Sequence, residues 1–461
     1  MTKENPEEPT ATRTQSRGQA MGGLDRIRKA AGEDKGLRLN NLMHHITLDA
    51  LRQSYLALKR KAAAGVDDVT WHRYGEGLEA KLADLHERVQ SGRYRPKPSK
   101  RIYIPKGDGR ERPIGIAALE DKIAQHAVGQ VLGSIWEEDF ANFSYGFRPG
   151  RSQHNALDAL WVGITQRKVH WVLDADIRSF FDTLDHGWLM KFVAHRVADS
   201  RMLRLIGKWL RAGVSEDGEW SRTSVGVPQG AVISPLLANI YLHYVLDLWV
   251  KQWRDRQARG EVIIVRYADD FVMGFQHRHE AEGFLREMRG RFAKFGLEVH
   301  PEKTRLIEFG RFAIENRENR KEGKPETFNF LGFTHICARR RSDGRFTVWR
   351  KTIAKRMRAK LREIKEDLMR RRHEPVPEMG RWLRSVVQGY FNYHAVPDNI
   401  REMTIFRDLV SRFWLRALRR RSQKGKYLNW GRMQRLIKTW IPPAKLLHPY
   451  PNQRLRVSYP R

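Results

Sequence analysis

Residues 261–275 read EVIIVRYADDFVMGF, two short apolar runs on either side of the acidic pair Asp269 and Asp270. Apolar runs of this length around a short polar break predict a β-hairpin with the carboxylates at its tip. A second stretch, VHWVLDADI at 169–177, predicts a buried strand that ends near Asp176. Because a buried strand rarely ends in carboxylates unless their charge is balanced, we expect these acids to meet around a cation.

The chemistry of these acids favours a hard metal ion. Carboxylates with no cysteine and no histidine pair nearby suit divalent cations such as Mg²⁺. Two such ions about 4 Å apart would activate a 3′-hydroxyl and stabilise a leaving pyrophosphate. The alternative is that the Asp-Asp pair is an ordinary solvated turn.

Composition points to a polyanionic partner. The 461 residues include 86 Lys plus Arg and 53 Asp plus Glu, a formal charge of +33, and 41% are hydrophobic. The apolar share supports a sizeable core, and the length suggests about three domains. The charge exceeds what solubility requires and therefore favours nucleic acid. The only cysteine, Cys337, excludes an intramolecular disulfide and a multi-cysteine zinc site, which fits a reducing cytoplasm.

Two segments bear on membrane insertion and targeting. The most apolar stretch, 231–250, contains Pro235, Asn239, His243 and Asp247, so it predicts a buried core helix rather than a membrane span. The first twenty residues have no apolar core and predict a disordered start rather than a secretory signal.

The remaining patterns mix helices and strands. Residues 21–95 show helical periodicity, 101–116 predict a hairpin around a GDG turn, and 324–336 predict a further strand pair. This mixture indicates an α+β core with antiparallel pairing. Beyond about residue 345 the pattern predicts helices only, and we place the boundary at the charged, glycine-containing stretch 339–345.

Four boxes together resemble bacterial group II intron reverse transcriptase/maturases over about residues 40–450. They are, in the family's order, LDADIRSFFDTLDH (173–186), SVGVPQGAVISPLLANIYL (224–242), RYADDFVMG (266–274) and FLGF (330–333). The resemblance implies a right-hand polymerase with fingers and palm, in which an antiparallel sheet is combined with helices, followed by an all-α thumb or maturase (X) domain. The implied divisions are an N-terminal extension (1–45), fingers (46–170), palm (171–340), thumb (345–441) and a short basic tail (442–461).

The boxes imply a metal centre. By position, Asp176, Asp269 and Asp270 would bind two Mg²⁺ ions, for which Mn²⁺ can substitute, and the backbone carbonyl of Ile177 would reach a metal. Lys303 resembles the lysine that protonates or neutralises the leaving pyrophosphate, although a lysine is also common on so basic a surface.

The same resemblance implies a nucleotide site. Phe181 would lie under the sugar and exclude a 2′-hydroxyl; the alternative is that Phe180 and Phe181 are both core residues. Gln229 would line the incoming dNTP, because its amide both donates and accepts hydrogen bonds. Lys106 and Arg112 flank the GDG turn and would bind the triphosphate, unless they belong to a solvated basic turn.

Primer and template contacts are implied at three places. Tyr267 would pack near the primer terminus, and Arg148 and Arg151, in a Gly/Pro loop that could be ordinary on any basic surface, would contact template phosphates. The primer-grip box supplies Phe330, Leu331 and Gly332.

Three further acids are expected to be structural. Asp174 shares a strand face with Asp176. Asp182 and Asp185 are candidates for capping the next helix.

The function implied is RNA-directed DNA polymerisation by a group II intron protein that also binds intron RNA to assist splicing and mobility. Residues 339–372, with fifteen Lys or Arg and four acids, would attract phosphates. Expected partners are an RNA template, a DNA or RNA primer, dNTPs and intron RNA in a bacterial cytoplasm, with no membrane. Some members of the family carry an endonuclease with paired cysteines. With a single cysteine, this chain resembles the members that lack the endonuclease. Two alternatives remain open: a splicing cofactor with a relic polymerase centre, and a domesticated reverse transcriptase in phage defence or repair.

Overall fold

The computed structural model describes residues 10–105, 111–216, 219–221 and 225–454. The first part of the chain forms α1 (Thr10–Glu33), α2 (Leu48–Ala57), α3 (Trp71–Gly75), α4 (Leu78–Gln90), β1 (Ser99–Pro105), β2 (Glu111–Ile116), α5 (Leu119–Asp139) and α6 (Gln153–Gln166). Residues 10–20, expected to be disordered, belong to α1 instead. Farther along α1, Ile27 and Ala31 are buried in the same core as α5, and this packing favours the helix.

The central part forms β3 (Trp171–Ala175), α7 (Phe180–Thr183), α8 (His186–Ala194), α9 (Ser200–Leu210), β4 (Val214–Glu216), β5 (Glu219–Ser221), α10 (Ser234–Leu242), α11 (Leu248–Arg256), β6 (Val262–Tyr267), β7 (Asp270–Phe275), α12 (Arg278–Lys294), β8 (Arg305–Glu308) and α13 (Ala313–Asn319). The last part forms β9 (Phe328–Phe330), β10 (Phe333–Arg339), β11 (Phe346–Thr352), α14 (Ala354–Arg370), α15 (Val376–His394), α16 (Ile400–Arg419), α17 (Trp430–Trp440) and α18 (Pro451–Arg454). The α+β fold class is confirmed.

The central sheet has the order β6-β7-β3-β8, and every pair in it is antiparallel. Its strands are buried on both faces: Leu173 and Met273 enter one core, while Val172 and Val272 enter the other. This arrangement explains why the strands read as nearly continuous apolar runs. The hairpin and the strand predicted around 261–275 and 169–177 are confirmed.

A second sheet has the order β2-β1-β4-β5. In the chain, β1 and β2 precede the central sheet, and β4 and β5 lie between its strands β3 and β6. β1 and β2 pair antiparallel from Lys100 with Ile116 to Pro105 with Glu111, as the GDG pattern predicts. The turn that joins them, and Lys106 with it, lies outside the described residues.

The third sheet, β11-β10-β9, contains a strand that sequence patterns did not predict. β10 pairs with β11 from Phe333 with Thr352 to Arg339 with Phe346, so residues 339–345 form the turn of a hairpin rather than a link to a helical domain. The buried positions of β11 include Thr347 and Arg350, and these polar residues hide the apolar alternation of a strand.

Only helices follow Thr352 among the described residues. The helices α14 to α17 share one core, with Trp414 and Phe406 fully buried in it. The segment after α17 then returns to α6, where Arg454 meets Asp158 at 2.6 Å. None of the described helices is long and apolar enough to cross a membrane, and the stretch 231–250 lies largely buried in α10, a π-helical segment and α11.

Candidate active site

The acidic turn between β6 and β7 stands beside the end of β3. Tyr267 pairs with Asp270, so Ala268 and Asp269 are the two central residues of the hairpin, and Ala268 has a left-handed φ of 57°. Ala175 pairs with Phe271, which brings Asp176, the residue that follows β3, to the same end of the sheet as Asp270. An alanine in this backbone region is strained, a feature that persists only where surrounding structure imposes it.

The carboxylates at this edge influence each other. The pKa of Asp270 is raised to about 8, mainly by burial and in addition by the neighbouring charges of Asp174, Asp269 and Asp176. Burial is also the main cause of the raised pKa of Asp269, and the charge of Asp176 adds to it. A group of acids that resist ionisation together is electrostatically prepared for a cation.

The fourth nearby acid has a partner of its own. Burial raises the pKa of Asp174 to about 6, while Arg305 lies 3.9 Å from its carboxylate. This placement agrees with the structural role expected for Asp174.

Lys303 reaches the same edge. Its Nζ donates to Oδ2 of Asp176 at 2.5 Å, so a cation of the chain already contacts one of the three expected metal ligands. Across the described residues, no three His, Cys, Asp or Glu side chains are arranged closely enough to hold a metal ion. The donor set suits Mg²⁺ in its chemistry, but its oxygens are not preassembled around one point.

Ile177 lies next to these acids in the core. Its side chain is buried, and its backbone forms an isolated bridge with Val299. A metal contact by its carbonyl stays a prediction.

A buried arginine that sequence patterns did not single out supports the acidic turn. Arg266 donates from Nε to Asp247 at 2.8 Å, and from Nη1 to Asn239 at 3.0 Å and to the carbonyl of Ala268 at 2.9 Å. Both partners of the Arg266–Asp247 pair are completely buried. The π-helical segment His243–Asp247 carries Asp247 at its end, so the polar residues that argued against a membrane span have a structural use.

The loop before α6 braces the turn from the other side. Tyr145 donates its N–H to the carbonyl of Arg266, and the carbonyl of Gly146 accepts from Asn239. A Cβ on Gly146 would lie 2.3 Å from the backbone nitrogen of Ala268, so only glycine permits this approach.

The same loop contains the two arginines expected to contact the template. The expectation is corrected for Arg148 and stays a prediction for Arg151. The Arg148 side chain is 2% exposed and binds Glu137 at 2.7 Å, as well as two backbone carbonyls. Arg151 is partly buried and donates to the carbonyl of Asn142 at 2.6 Å. Both donate to the loop itself, so in this structure they stabilise its shape, and the buried Arg148 has no surface to offer a template.

Two of the four residues expected to bind the nucleotide, Phe181 and Gln229, line one cavity. A cavity of about 260 Å³ is lined by Phe181 and Gln229, and by Arg101 and Tyr103 from β1. Gln229 Nε2 donates to Asp182 at 3.3 Å, which places the amide at the cavity wall. An aromatic ring and an amide at one opening suit a sugar and a base.

The two phenylalanines of the first box differ in their surroundings. Phe180 is 2% exposed in the core, whereas Phe181 is partly buried and lines the cavity. The alternative that both are core residues therefore holds for Phe180 alone. Asp185 caps α8 by accepting from the N–H of Trp188, as expected.

Arg112, one of the two cations expected to bind the triphosphate, is exposed on β2, and its charge opposes the rise in the pKa of Asp269. Tyr267 is partly buried, and its ring centroid lies 6.2 Å from that of Phe147. Contacts of either residue with a nucleotide or primer stay predictions.

The FLGF box forms the tight turn between β9 and β10. Leu331 and Gly332 have φ values of 45° and 85°, and Tyr393 from α15 donates to the carbonyl of Leu331 at 2.8 Å. Phe330 is 1% exposed, so it anchors the turn in the core and does not itself face a primer. Arg356 of α14, which the sequence did not single out, lies beside Gly332, and its charge opposes the rise in the pKa of Asp270.

Comparison with known proteins fits this geometry. The family model described as reverse transcriptase (RNA-dependent DNA polymerase) matches residues 104–335, half of the chain, which includes all four acids at the sheet edge. The chain belongs to the reverse transcriptase family. Members of this family generally use divalent metal ions.

The relatives of this reverse transcriptase narrow its type. Protein YkfC of Escherichia coli is 36% identical over 312 residues, 60% of this chain and 81% of YkfC. Group II intron-encoded protein LtrA of Lactococcus lactis is 36% identical over 212 residues, 45% of this chain and 35% of LtrA. An uncharacterised 91 kDa protein in the cob intron of Schizosaccharomyces pombe is 36% identical over 169 residues, 36% of this chain and 21% of that protein. Two of these three relatives are named for introns, and one of those two for a group II intron.

Proposed function

We propose that this reverse transcriptase extends a primer on an RNA template by two-metal nucleotidyl transfer, with Asp176, Asp269 and Asp270 as the metal ligands. The observation that carries the proposal is the meeting of these acids at one sheet edge, where burial and mutual repulsion raise the pKa of Asp270 to about 8. Bound divalent ions would supply an activated 3′-hydroxyl and charge neutralisation at the triphosphate.

The chain's own residues would orient the reactants. In this proposal Phe181 presses on the sugar of the dNTP and leaves no room for a 2′-hydroxyl, while Gln229 bonds the sugar or base from the facing wall. Lys303, which contacts Asp176 in this structure, would offer its ammonium proton or charge to the leaving pyrophosphate. Arg112 draws the triphosphate towards the acidic turn.

Primer extension tests the metal ligands. Asp269→Asn should abolish extension of a DNA primer on an RNA template with Mg²⁺ and dNTPs, because one carboxylate charge is lost without a change in side-chain size. The matched control, Asp255→Asn on the exposed part of α11, should extend like the unaltered chain. Extension by Asp269→Asn at the control rate would contradict the metal assignment.

We also propose that the chain binds the RNA of a group II intron and assists its splicing. The relative LtrA is named as a group II intron-encoded protein, and the stretch 339–372 carries a net charge of +11 from fifteen basic and four acidic residues. Binding to the folded form of an RNA shifts its population towards that form without any catalytic group from the protein.

A splicing assay distinguishes assistance of splicing from primer extension. Asp269→Asn should promote splicing of the intron that encodes this chain as well as the unaltered chain does, because RNA binding does not use the acidic turn. The same preparation should fail in primer extension. Loss of splicing with intact folding in Asp269→Asn would contradict independent activities, and absence of splicing with the unaltered chain would contradict the maturase role.

A further inference from the structure

A second large opening lies apart from the acidic turn. It has a volume of about 820 Å³, and we call it the junction cleft. Its walls come from the β10–β11 turn and β11, from the start of α16, and from the segment after α17. None of the proposed metal ligands or nucleotide-binding residues lines it.

The junction cleft is basic. Four cations line it, Arg340, Arg341, Lys351 and Arg401, against the two acids Asp398 and Glu402. Lys351 donates to the backbone carbonyl of Asp398 at 2.5 Å and to the carboxylate of Glu402 at 3.1 Å, so Glu402 already has its counter-charge. Among the described residues, no ion pair involves Arg341 or Arg401, and both are exposed. Two guanidinium groups without an acid partner are suited to phosphate.

Aromatic rings lie between these cations. Trp349 of β11 is partly buried with the Lys351 ammonium 5.5 Å from its ring centroid, while Tyr450 is 49% exposed. The polar groups of Ser342, Asn452 and Gln453 complete the lining. Aromatic rings among arginines suit bases that are not already stacked in a duplex, and short polar side chains can bond a ribose 2′-hydroxyl.

The wall that carries Tyr450 is held in place. Arg454 binds the fully buried carboxylate of Asp158 at 2.6 Å, and the rings of His448 and His154 stack with centroids 3.9 Å apart. The cleft is therefore formed before any ligand arrives, which lowers the entropic cost of binding.

We infer that the junction cleft binds an unpaired segment of RNA outside the polymerisation site, with phosphates on Arg341 and Arg401 and a base on Tyr450. The choice of RNA rests on the proposed function, because an RNA bound by this chain during splicing or copying would present unpaired strands next to its duplex parts. The site lets the chain hold a second stretch of RNA while the acidic turn is engaged.

Fluorescence anisotropy with the full chain tests this inference. The probe is a labelled twelve-nucleotide oligouridylate, added after an excess of unlabelled RNA–DNA hybrid has filled the polymerisation site. The double variant Arg341→Glu/Arg401→Glu should bind at least about tenfold more weakly and with a smaller salt dependence. The matched control Arg435→Glu/Lys438→Glu, on the exposed face of α17, makes the same charge change and should stay within about twofold.

A second variant separates stacking from charge. Tyr450→Ala should weaken binding about fivefold or more and leave the salt dependence unchanged, because no cation is lost. Equal binding by the cleft variants and the control would overturn the inference, and equal affinity for oligothymidylate DNA would overturn the choice of RNA. Primer extension by the unaltered chain is measured in parallel. Its failure would contradict the proposed function, while the comparison of RNA affinity between the cleft variants and the control would still test the cleft.

Discussion

Single residues fix the shape of the acidic turn without taking part in its chemistry. Arg266 lies on β6, and its guanidinium is buried in the interior. There Asp247 balances its charge, and the carbonyl of Ala268 accepts a hydrogen bond from it. Because Ala268 holds a strained φ of 57°, the turn needs this support. We therefore regard Arg266 and Asp247 as positioning residues.

Asp247→Leu should lower the free energy of unfolding by about 3–5 kcal/mol, because it leaves the Arg266 charge buried without a counter-charge. Chemical denaturation measures the change. The control Glu282→Gln breaks an exposed pair with Arg278 and should cost less than about 1 kcal/mol. A loss for Asp247→Leu as small as that of the control would show that the buried pair does not support the turn.

Phe181→Val should raise incorporation of ribonucleotides relative to deoxyribonucleotides by about tenfold or more, because the smaller side chain makes room for a 2′-hydroxyl. The ratio of kcat/KM for dNTP and rNTP measures the effect. Tyr103→Phe, on the fingers side of the same cavity, keeps its ring and should leave the ratio unchanged. If the ratio is the same in Phe181→Val as in the unaltered chain, Phe181 does not select the sugar.

At the scale of elements, the contact between α6, α15 and the segment after α17 joins distant parts of the chain. His154 of α6 donates from Nε2 to the carbonyl of Tyr393 at 2.8 Å, and His448 donates from Nε2 to the carbonyl of Asn392 at 2.8 Å. Burial lowers the pKa of His154 to about 4 and is also the main cause of the lowered pKa of His448. The two rings are therefore held neutral where they stack.

The stability of the chain should fall as the pH drops from about 6.5 to about 4, the ordinary and the lowered pKa of His154. In this range the unfolded chain takes up a proton that the folded chain excludes, so protonation favours unfolding. Thermal unfolding between pH 7 and pH 4 measures this dependence. His154→Gln, which cannot titrate, should show a shallower fall than the unaltered chain, and an equally steep fall would contradict a role for this ring.

At the scale of the whole molecule, positive charge dominates the surface near α14. This helix buries Leu361, Ile364 and Leu368 and turns most of its cations outwards. Such a face attracts any phosphate backbone and carries little sequence information. In the proposed function, this face would attract both the copied template and an intron RNA.

Neutralisation of three exposed cations of α14 should weaken RNA affinity and reduce the slope of log K against log salt by about two to three. The substitutions to Gln are at Lys355, Arg358 and Arg362. The control set on α12 makes the same charge change at Arg286, Arg289 and Lys294. Filter binding at several salt concentrations gives the slopes. Equal slopes for the two sets would place the RNA footprint away from α14.

Local patterns in the sequence were sufficient for the central hairpin, for β3 and for the α+β class. An apolar run interrupted by two acids predicts a strand pair with the acids at its turn, because this arrangement buries the apolar residues and leaves the acids at the end of the strands. The boxes around this pair are short and contiguous. Phe181 and Gln229, which line the cavity beside β1, could be named only through the resemblance of their boxes to those of group II intron reverse transcriptases.

Tertiary structure alone decided the contacts between residues far apart in the chain. Arg148 carries the same charge as a surface arginine in any pattern, and only the fold shows that Glu137 and backbone carbonyls take up its donors. β11 escaped prediction because Arg350 occupies a buried position, and that position is tolerable only because Asp158, 192 residues earlier, supplies the counter-charge. The periodicity of a sequence predicts which face of a helix or strand is apolar. It does not predict which distant residue balances a buried charge, because that depends on how separate elements pack.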